Sequence, residues 1–358
     1  MTGGRFFEDF RQGEVLKHSA PRTVHGGDLS LYIGLTGDSR PIPSSTDLAQ
    51  ALGFDREVAH ELLVFHLVFG KTVDDISANA VANLGYADVR FLGPVYPGDT
   101  LRSESDVVGL RQTSSGSSGV VYVSTRGLNQ RDQVVLQFHR WVLVHKRDAS
   151  SAVGKTVVPS LPTEVPIESV PIPEALNLSR FADVAWATGG DALWDDYQPG
   201  QRIVHSGGMT IEEADHVLAT RLYQNHARVH FDALHMAKSR FGRRLVYGGH
   251  VISVAHALAR QGLENVLWMA AWNSGSHVAP VFAGDTLSAW TVILARAEVP
   301  GRSDVGALRM RLVAVKNADP EAHEMTLEVG PSDAKTYDSH VVLDLDWWGL
   351  IPRRPAAG

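Results

Sequence analysis

The chain of 358 residues contains no cysteine. That removes disulfides, thiolate metal centres and cysteine nucleophiles together, and it sets the expectation of a cytoplasmic protein. There is no excess of positive charge. Thirty-three Lys and Arg stand against 40 Asp and Glu, a net charge of −7 with the basic residues scattered, so no nucleic-acid or anionic-membrane surface is expected. Long hydrophobic runs are also missing. The longest, near Leu62–Phe69, contains His66 and falls well short of the ~20 residues that span a bilayer, and residues 1–20 have no signal-peptide layout. No glycine-rich phosphate loop or dinucleotide fingerprint follows a strand, and there is no Gly-x-Ser-x-Gly elbow. His60-Glu61 opens like a zinc-protease helix, but the position that should hold the second histidine is Val64. His226 and His230 have helical ligand spacing without a third partner nearby. No metal and no cofactor are therefore expected.

The composition, 44% hydrophobic and 20% charged, is that of a globular protein with sizeable cores, and the length suggests about two domains. An internal repeat gives those domains their form. Phe7-Glu8-Asp9-Phe10 with Gly13 recurs 187 positions later as Trp194-Asp195-Asp196-Tyr197 with Gly200. Asp28, Leu35–Asp38 and Val64 fall on Asp215, Leu222–Asn225 and Val251 at the same shift. Pro94-Val95 and Gly98–Leu101 recur 186 positions on as Pro280-Val281 and Gly284–Leu287. Val134-Val135-Leu136 with Trp141 recurs 207 positions on as Val341-Val342-Leu343 with Trp348, which places an insertion of about twenty residues in Asn317–His340. The stretch between the copies carries Pro159, Pro162, Pro166, Pro171 and Pro173 and reads as an extended surface linker. The division is then 1–147, a linker over 148–189, and 190–358. Ser114–Gly119 reads as a hairpin tip.

Each copy has the same order of elements. A helix with an acidic start (Asp28–Gly37, Glu212–Gln224) precedes a second, apolar on all sides (Val58–Ile76, Val246–Gln261). Strands with period-two alternation follow, such as Leu308, Met310 and Leu312 against Arg309 and Arg311, or Leu343 and Leu345 against Asp344 and Asp346. One buried and one wet face are expected for each sheet. A buried helix wrapped by antiparallel strands is the α+β hotdog, and two copies predict a tandem, double hotdog.

The loop after the first helix reads Gly37-Asp38-Ser39-Arg40-Pro41-Ile42-Pro43 in copy one and Gln224-Asn225-His226-Ala227-Arg228-Val229-His230 in copy two. It resembles the Gly-Asp-x-Asn-Pro-x-His motif of the MaoC-like, or (R)-specific enoyl-CoA hydratase, superfamily. There the Asp and His activate the water that adds to an enoyl thioester. Here the motif is split: copy one keeps Asp38 but has Pro43 in place of the histidine, and copy two keeps His230 but has Asn225 in place of the aspartate. Phe6–Phe10, Ala80–Ala87, Ala227–Phe231, Arg240–Val251 and Pro300–Arg309 are similar more narrowly to the mesaconyl-CoA hydratase (β-methylmalyl-CoA dehydratase) family. The resemblance implies a hydro-lyase that interconverts mesaconyl-CoA and β-methylmalyl-CoA.

That chemistry needs a base for water, an acid for the α-carbon and donors for the enolate oxygen. His230, whose ordinary pKa lies near working pH, suits the first two tasks in opposite directions. Asn225 carries no proton and is assigned to orienting water or His230. The second proton carrier is open among Asp38, His60, Glu61, His66 and Asp232. Gly248-Gly249, at the start of the second buried helix, suit the enolate oxygen because glycine permits close approach to unpaired N–H groups. Arg228, Arg243 and Arg244 are candidates for the substrate carboxylate and the CoA phosphates. Copy one, through His60–Leu63 and Tyr86–Arg90, is expected to wall an acyl-CoA tunnel leading to the catalytic loop of copy two, with one site per chain. A CoA thioester is the expected partner, with no nucleic acid or membrane, and a homodimer the expected assembly. The alternatives are another enoyl-CoA, thioester hydrolysis, or a non-catalytic acyl-CoA-binding protein.

Overall fold

The apolar second helix of each copy forms the axis around which the rest is laid. The computed structural model describes residues 4–151, 154–321, 328–329 and 335–355. In copy one, the short strands β1 (Val15–Lys17) and β2 (Arg22–Thr23) precede α1 (Gly26–Thr36), the short helices α2 (Pro41–Ser44) and α3 (Thr46–Ala51), and α4 (Glu61–Lys71). Every residue of α4 is buried, as a helix apolar on all sides requires. Its start is capped by His60, whose Nδ1 accepts the Leu62 N–H at 3.0 Å. Four long strands then wrap it: β3 (Ala80–Phe91), β4 (Thr100–Gln112), β5 (Ser118–Leu128) and β6 (Val134–His145). Ser114–Ser117 form the tip between β4 and β5, closed by the Gly116 N–H on the Thr113 carbonyl.

The linker carries the short helix α5 (Phe181–Val184), and copy two repeats the plan. Its elements are β7 (Arg202–Thr210), α6 (Glu213–Leu222), α7 (Ala233–Met236), α8 (Gly248–Leu258), β8 (Trp268–His277), β9 (Thr286–Glu298) and β10 (Val305–Lys316). A hairpin of β11 (Glu328–Val329) and β12 (Lys335–Thr336) stands where the inserted residues were expected, and β13 (Val341–Pro352) closes the copy. Much of that insertion lies outside the described residues.

The long strands form one antiparallel sheet in the order β1-β4-β5-β6-β3-β8-β13-β10-β9-β7. The order reads the same from either edge in repeat terms, and the copies meet where β3 pairs with β8, Tyr86 opposite Gly275 and Arg90 opposite Ala271. This is the double hotdog, α+β, within a single chain. The helices cross beneath the seam, where the Ser253 hydroxyl is 2.8 Å from His66 Nε2 and accepts the Tyr32 hydroxyl at 3.0 Å. Phe65 packs there against Trp272, Phe138 and Tyr86 at ring distances of 4.7, 5.1 and 5.5 Å. Side chains buried this completely contribute about 1.5–3 kcal/mol each.

The expectation of a wet outer face is corrected in copy two. Arg309 pairs with Asp346 and Glu164, and Arg311 with Asp344. The linker lies over the first of these pairs, where Glu164 meets Arg309: Trp348 donates through Nε1 to the Val165 carbonyl, and the Val165 N–H donates to Asn273. The same linker bridges Val157 to Leu110 in copy one. Alternation marked the polar residues but not the strap that meets Arg309. Among the described residues no helix is long and apolar enough to cross a membrane.

Candidate active site

The two motif loops have one backbone design. Gly37 ends α1 with φ +71°, and Gln224 occupies the same repeat position with φ +53°, a left-handed conformation that costs a non-glycine residue about 1 kcal/mol. In the next turn Asp38 Oδ1 accepts the Arg40 N–H at 3.1 Å and Asn225 Oδ1 accepts the Ala227 N–H at 3.0 Å. Each loop leans on the helix of the other copy. Asp38 meets His256 of α8, and Gln224 accepts a hydrogen bond from Lys71 of α4.

His230 donates through Nδ1 to the Leu245 carbonyl at 3.0 Å, which fixes the tautomer and leaves Nε2 as a lone-pair acceptor. Burial, with a further push from His216 and opposition from the Leu245 carbonyl, lowers its pKa to about 4, so it is a neutral base at pH 7. Its ring meets that of Tyr247 edge-on at 5.5 Å. Tyr247 is the residue just before α8, whose first two residues are Gly248 and Gly249. Among the described residues neither glycine N–H has an acceptor, and the positive end of the helix dipole adds to them. A Cβ on Gly248 would lie 2.5–2.8 Å from the His277 ring, and one on Gly249 2.4–2.6 Å from Tyr247 and His66. Only glycine fits either position. His277 is linked to Tyr86 of copy one, Oη to Nε2 3.3 Å, and burial, reinforced by His230, lowers its pKa to about 4.

The copy-one loop is a different object. Asp38 Oδ2 lies 3.1 Å from His60 Nε2, 3.3 Å from His256 Nδ1 and 3.5 Å from Arg40 Nε, with all four side chains buried. Burial pushes the Asp38 carboxyl up, but Arg40, His60 and His256 hold it well below the usual range. The void beside it is about 10 Å³ and is lined by Arg40, Pro43, Glu61 and Trp268 among others, room for no more than a water molecule. Asp38, His60 and His256 have the donor spacing of a metal site. The Arg40 guanidinium already neutralises that carboxylate, so a second cation would face an uncompensated charge.

The site residues expected from the sequence are thus divided between two places. His230, Asn225, Gly248, Gly249 and Tyr86 surround the copy-two loop, whereas Asp38 and His60 belong to the copy-one cluster and share no contact with His230. Leu63 is wholly buried in the core. Arg90 turns away: a bulge opposite β6, with Asp88 at φ +50°, changes the alternation, so that Tyr86, Val89 and Phe91 share the core. Arg90 instead holds Asp88 at 2.6 Å and the linker carbonyl of Ser169 at 3.5 Å. Arg228 is exposed and paired with Asp232, Arg243 lies 4.0 Å over the Phe282 ring, and Arg244 pairs with Glu213. Glu61 accepts the Met269 N–H, and His66 is engaged by Ser253. His277 was not legible, being the last residue of a strand in no motif. Tyr247 stood inside the Arg240–Val251 block with no role assigned.

Comparison with known proteins bears on what the loop does. The family model described as mesaconyl-CoA hydratase matches residues 1–326. The chain is 52% identical over 352 residues to a β-methylmalyl-CoA dehydratase of Chloroflexus aurantiacus, covering 98% of each. To a mesaconyl-CoA hydratase of Cereibacter sphaeroides it is 50% identical over 354 residues, 98% of this chain and 99% of that one. The solved structure of a MaoC domain protein from C. aurantiacus superposes with a TM-score of 0.92 at 50% identity, covering 99% of both chains. A Mycobacterium tuberculosis protein with a double hotdog fold does so at 0.75 and 26% identity, covering 99% of this chain and 100% of that one. The split motif therefore sits within a chain that matches these enzymes almost from end to end, and the chain belongs to the mesaconyl-CoA hydratase family.

Proposed function

We propose that this chain adds water reversibly to mesaconyl-CoA, giving β-methylmalyl-CoA, at the copy-two loop. The observation that carries the reading is the pairing of a free His230 Nε2 with the two unengaged N–H groups of Gly248 and Gly249 at the start of α8. In the hydration direction Nε2 takes a proton as the water oxygen bonds to the β-carbon, and the double-bond electrons move onto the thioester oxygen. The helix start holds that enolate oxygen. The enolate then collapses and its α-carbon takes the proton back from Nε2, so one ring carries the only proton transferred. A single carrier accounts for the amide at position 225: Asn225 Oδ1 is committed to its own turn, which leaves the amide NH2 to hold water.

In this reading copy two supplies the catalytic loop and copy one the wall of the acyl-CoA tunnel, through Tyr86 and α4. Asp38 and His60 are anchors of the copy-one loop, and the exposed cations proposed for the CoA phosphates are Arg228, beside Asp232, and Arg243, over the Phe282 ring. A homodimer would use the outer surface, since the β3–β8 seam completes the two-copy unit within one chain; exposed Trp186 and Leu234 support such a surface. A cytoplasmic setting is supported by the absence of cysteine. The test is loss of enoyl-thioester absorbance on adding purified protein to mesaconyl-CoA, with crotonyl-CoA alongside and mass spectrometry of the product. A product 18 mass units heavier, formed faster from mesaconyl-CoA, is expected. Free thiol release would make the reaction hydrolysis, and binding without turnover would make the protein a carrier. Light scattering of the eluted protein reads the assembly.

A further inference from the structure

Strand β6 alternates inward as Phe138, Arg140, Val142 and Val144, so one guanidinium points into an otherwise apolar layer. Arg140 is 0% exposed. Its Nη2 donates to Thr72 Oγ1 at 2.7 Å, while Nε and Nη1 have no acceptor and no carboxylate lies within 4.0 Å among the described residues. The group rests 4.3 Å over the Phe69 ring. Arg40, the other arginine buried this deeply, has a carboxylate and two backbone carbonyls around it. A buried charge with idle donors is costly, and one hydroxyl and one ring face offset only part of that cost. Burial lowers its pKa to about 10, against an upward pull from Tyr86 and Tyr247, so it stays charged at pH 7.

Its neighbours are those of the site. Arg140 is the cross-strand partner of Tyr86, which reaches His277 beside Gly248. On its other side Phe69 meets Tyr247 at 5.7 Å, and Tyr247 meets His230. The repeat supplies an internal control. The shift of 207 puts Trp347 in the place of Arg140, and the shift of 186 puts Trp272 in the place of Tyr86. Trp272 and Trp347 are themselves cross-strand partners, and Trp347 lies 5.2 Å from His256 beside the closed copy-one loop. Two tryptophans fill one wall; tyrosine and an unpaired arginine stand in the other.

We propose that Arg140 is the subsite for the free carboxylate of a dicarboxylic acyl thioester, taking it through its unused donors, while the surface arginines are left to the CoA moiety. The inference rests on the mesaconyl reading, since a mesaconyl group carries a carboxylate on the β-carbon that water attacks. It fixes acyl choice: an enoyl thioester with a methyl group there would leave the buried cation unpaired.

Equilibrium binding of two unreactive saturated thioesters, succinyl-CoA and butyryl-CoA, tests it, because they differ only in carboxylate against methyl. The wild-type chain should prefer succinyl-CoA by about 100-fold. Arg140→Met should abolish the preference, with butyryl-CoA bound as before and the melting temperature not lowered, since an uncompensated buried charge has been removed. Arg140→Lys, which keeps a charge, should retain part of the preference, and it serves alone if the Met variant does not fold. A preference that survives Arg140→Met, a lysine variant indistinguishable from wild type, or equal weakening of both ligands overturns the proposal. Wild-type preference for succinyl-CoA without turnover of mesaconyl-CoA would instead sink the reaction reading and leave the subsite standing.

Discussion

Replacing Asp38 by Asn separates scaffold from catalyst. The carboxylate is the only one within 4.0 Å of Arg40 among the described residues, at 3.5 Å, and it also faces His60 at 3.1 Å and His256 at 3.3 Å. Without it, Arg40 would keep only the carbonyls of His256 at 2.9 Å and Val266 at 3.4 Å. Leaving such a charge uncompensated in the interior costs about 3–5 kcal/mol. The turn itself should survive, because Asn225 makes the same Oδ1 contact in copy two. The sign with pH follows from the depressed carboxyl: its contribution is complete above the unfolded value of 3.8 and is lost as pH falls through the lower folded value. The gap between wild type and variant should therefore be full at pH 7 and close only in strong acid. Urea midpoints at pH 7 and turnover of mesaconyl-CoA, at a temperature where both proteins are folded, give the answer. A clear drop in midpoint with kcat within about threefold is expected on this reasoning. An unchanged midpoint with kcat down about 100-fold or more would make Asp38 a proton carrier and refute the reasoning.

Gly248→Ala places a methyl 2.5 Å from His277 Cε1; it should cost about 1–3 kcal/mol from overpacking and lower kcat about 10²–10³-fold, and near-normal kcat would remove the helix start from the site. His205, His230, His250 and His277 have pKa values lowered to about 4 and His256 to about 3, all chiefly by desolvation. Because the unfolded chain takes up protons first, stability should be full above pH 6.5 and fall steadily toward pH 4, with these five histidines taking up between about four and five protons on unfolding at pH 5. A stability profile flat over that range would contradict the neutral histidine cluster. Arg90→Ala should leave KM for mesaconyl-CoA within about twofold, since the side chain is spent on Asp88 and the linker; a tenfold rise would return it to the binding wall.

What was legible in the sequence was what local chemistry determines. The Gly-Asp-Thr turns repeat because Asp99 and Asp285 each bind the backbone N–H three residues back, of Tyr96 and Phe282, and such turns leave the same mark wherever they occur. The all-apolar face of α4 announced its burial. The expectation that joins the copy-two loop to Gly248 and Gly249 could be drawn from local sequence, because each is a short motif and only the segment around α7 separates them. Asp38, His60 and His256 converge from three separate segments, and no local spacing marks such a cluster. Arg90 was misplaced because a bulge at Asp88 breaks the period-two rule on which its orientation depended. The linker strap over β13 was visible as prolines, but its register on Val165 and Trp348 is set by tertiary contact alone. Arg140 did leave a signal, a lone charge at an inward position of an alternating strand, which gains meaning only when the wall it shares with Tyr86 is seen.

The central claim is that one neutral imidazole, on the copy-two loop, runs the proton transfer. Its most direct test is the turnover of mesaconyl-CoA by His230→Ala, measured beside wild type with matched circular dichroism and melting curves. The account predicts an intact fold and a loss of about 10²–10⁴-fold in kcat. Turnover near the wild-type rate from a folded His230→Ala protein would contradict it.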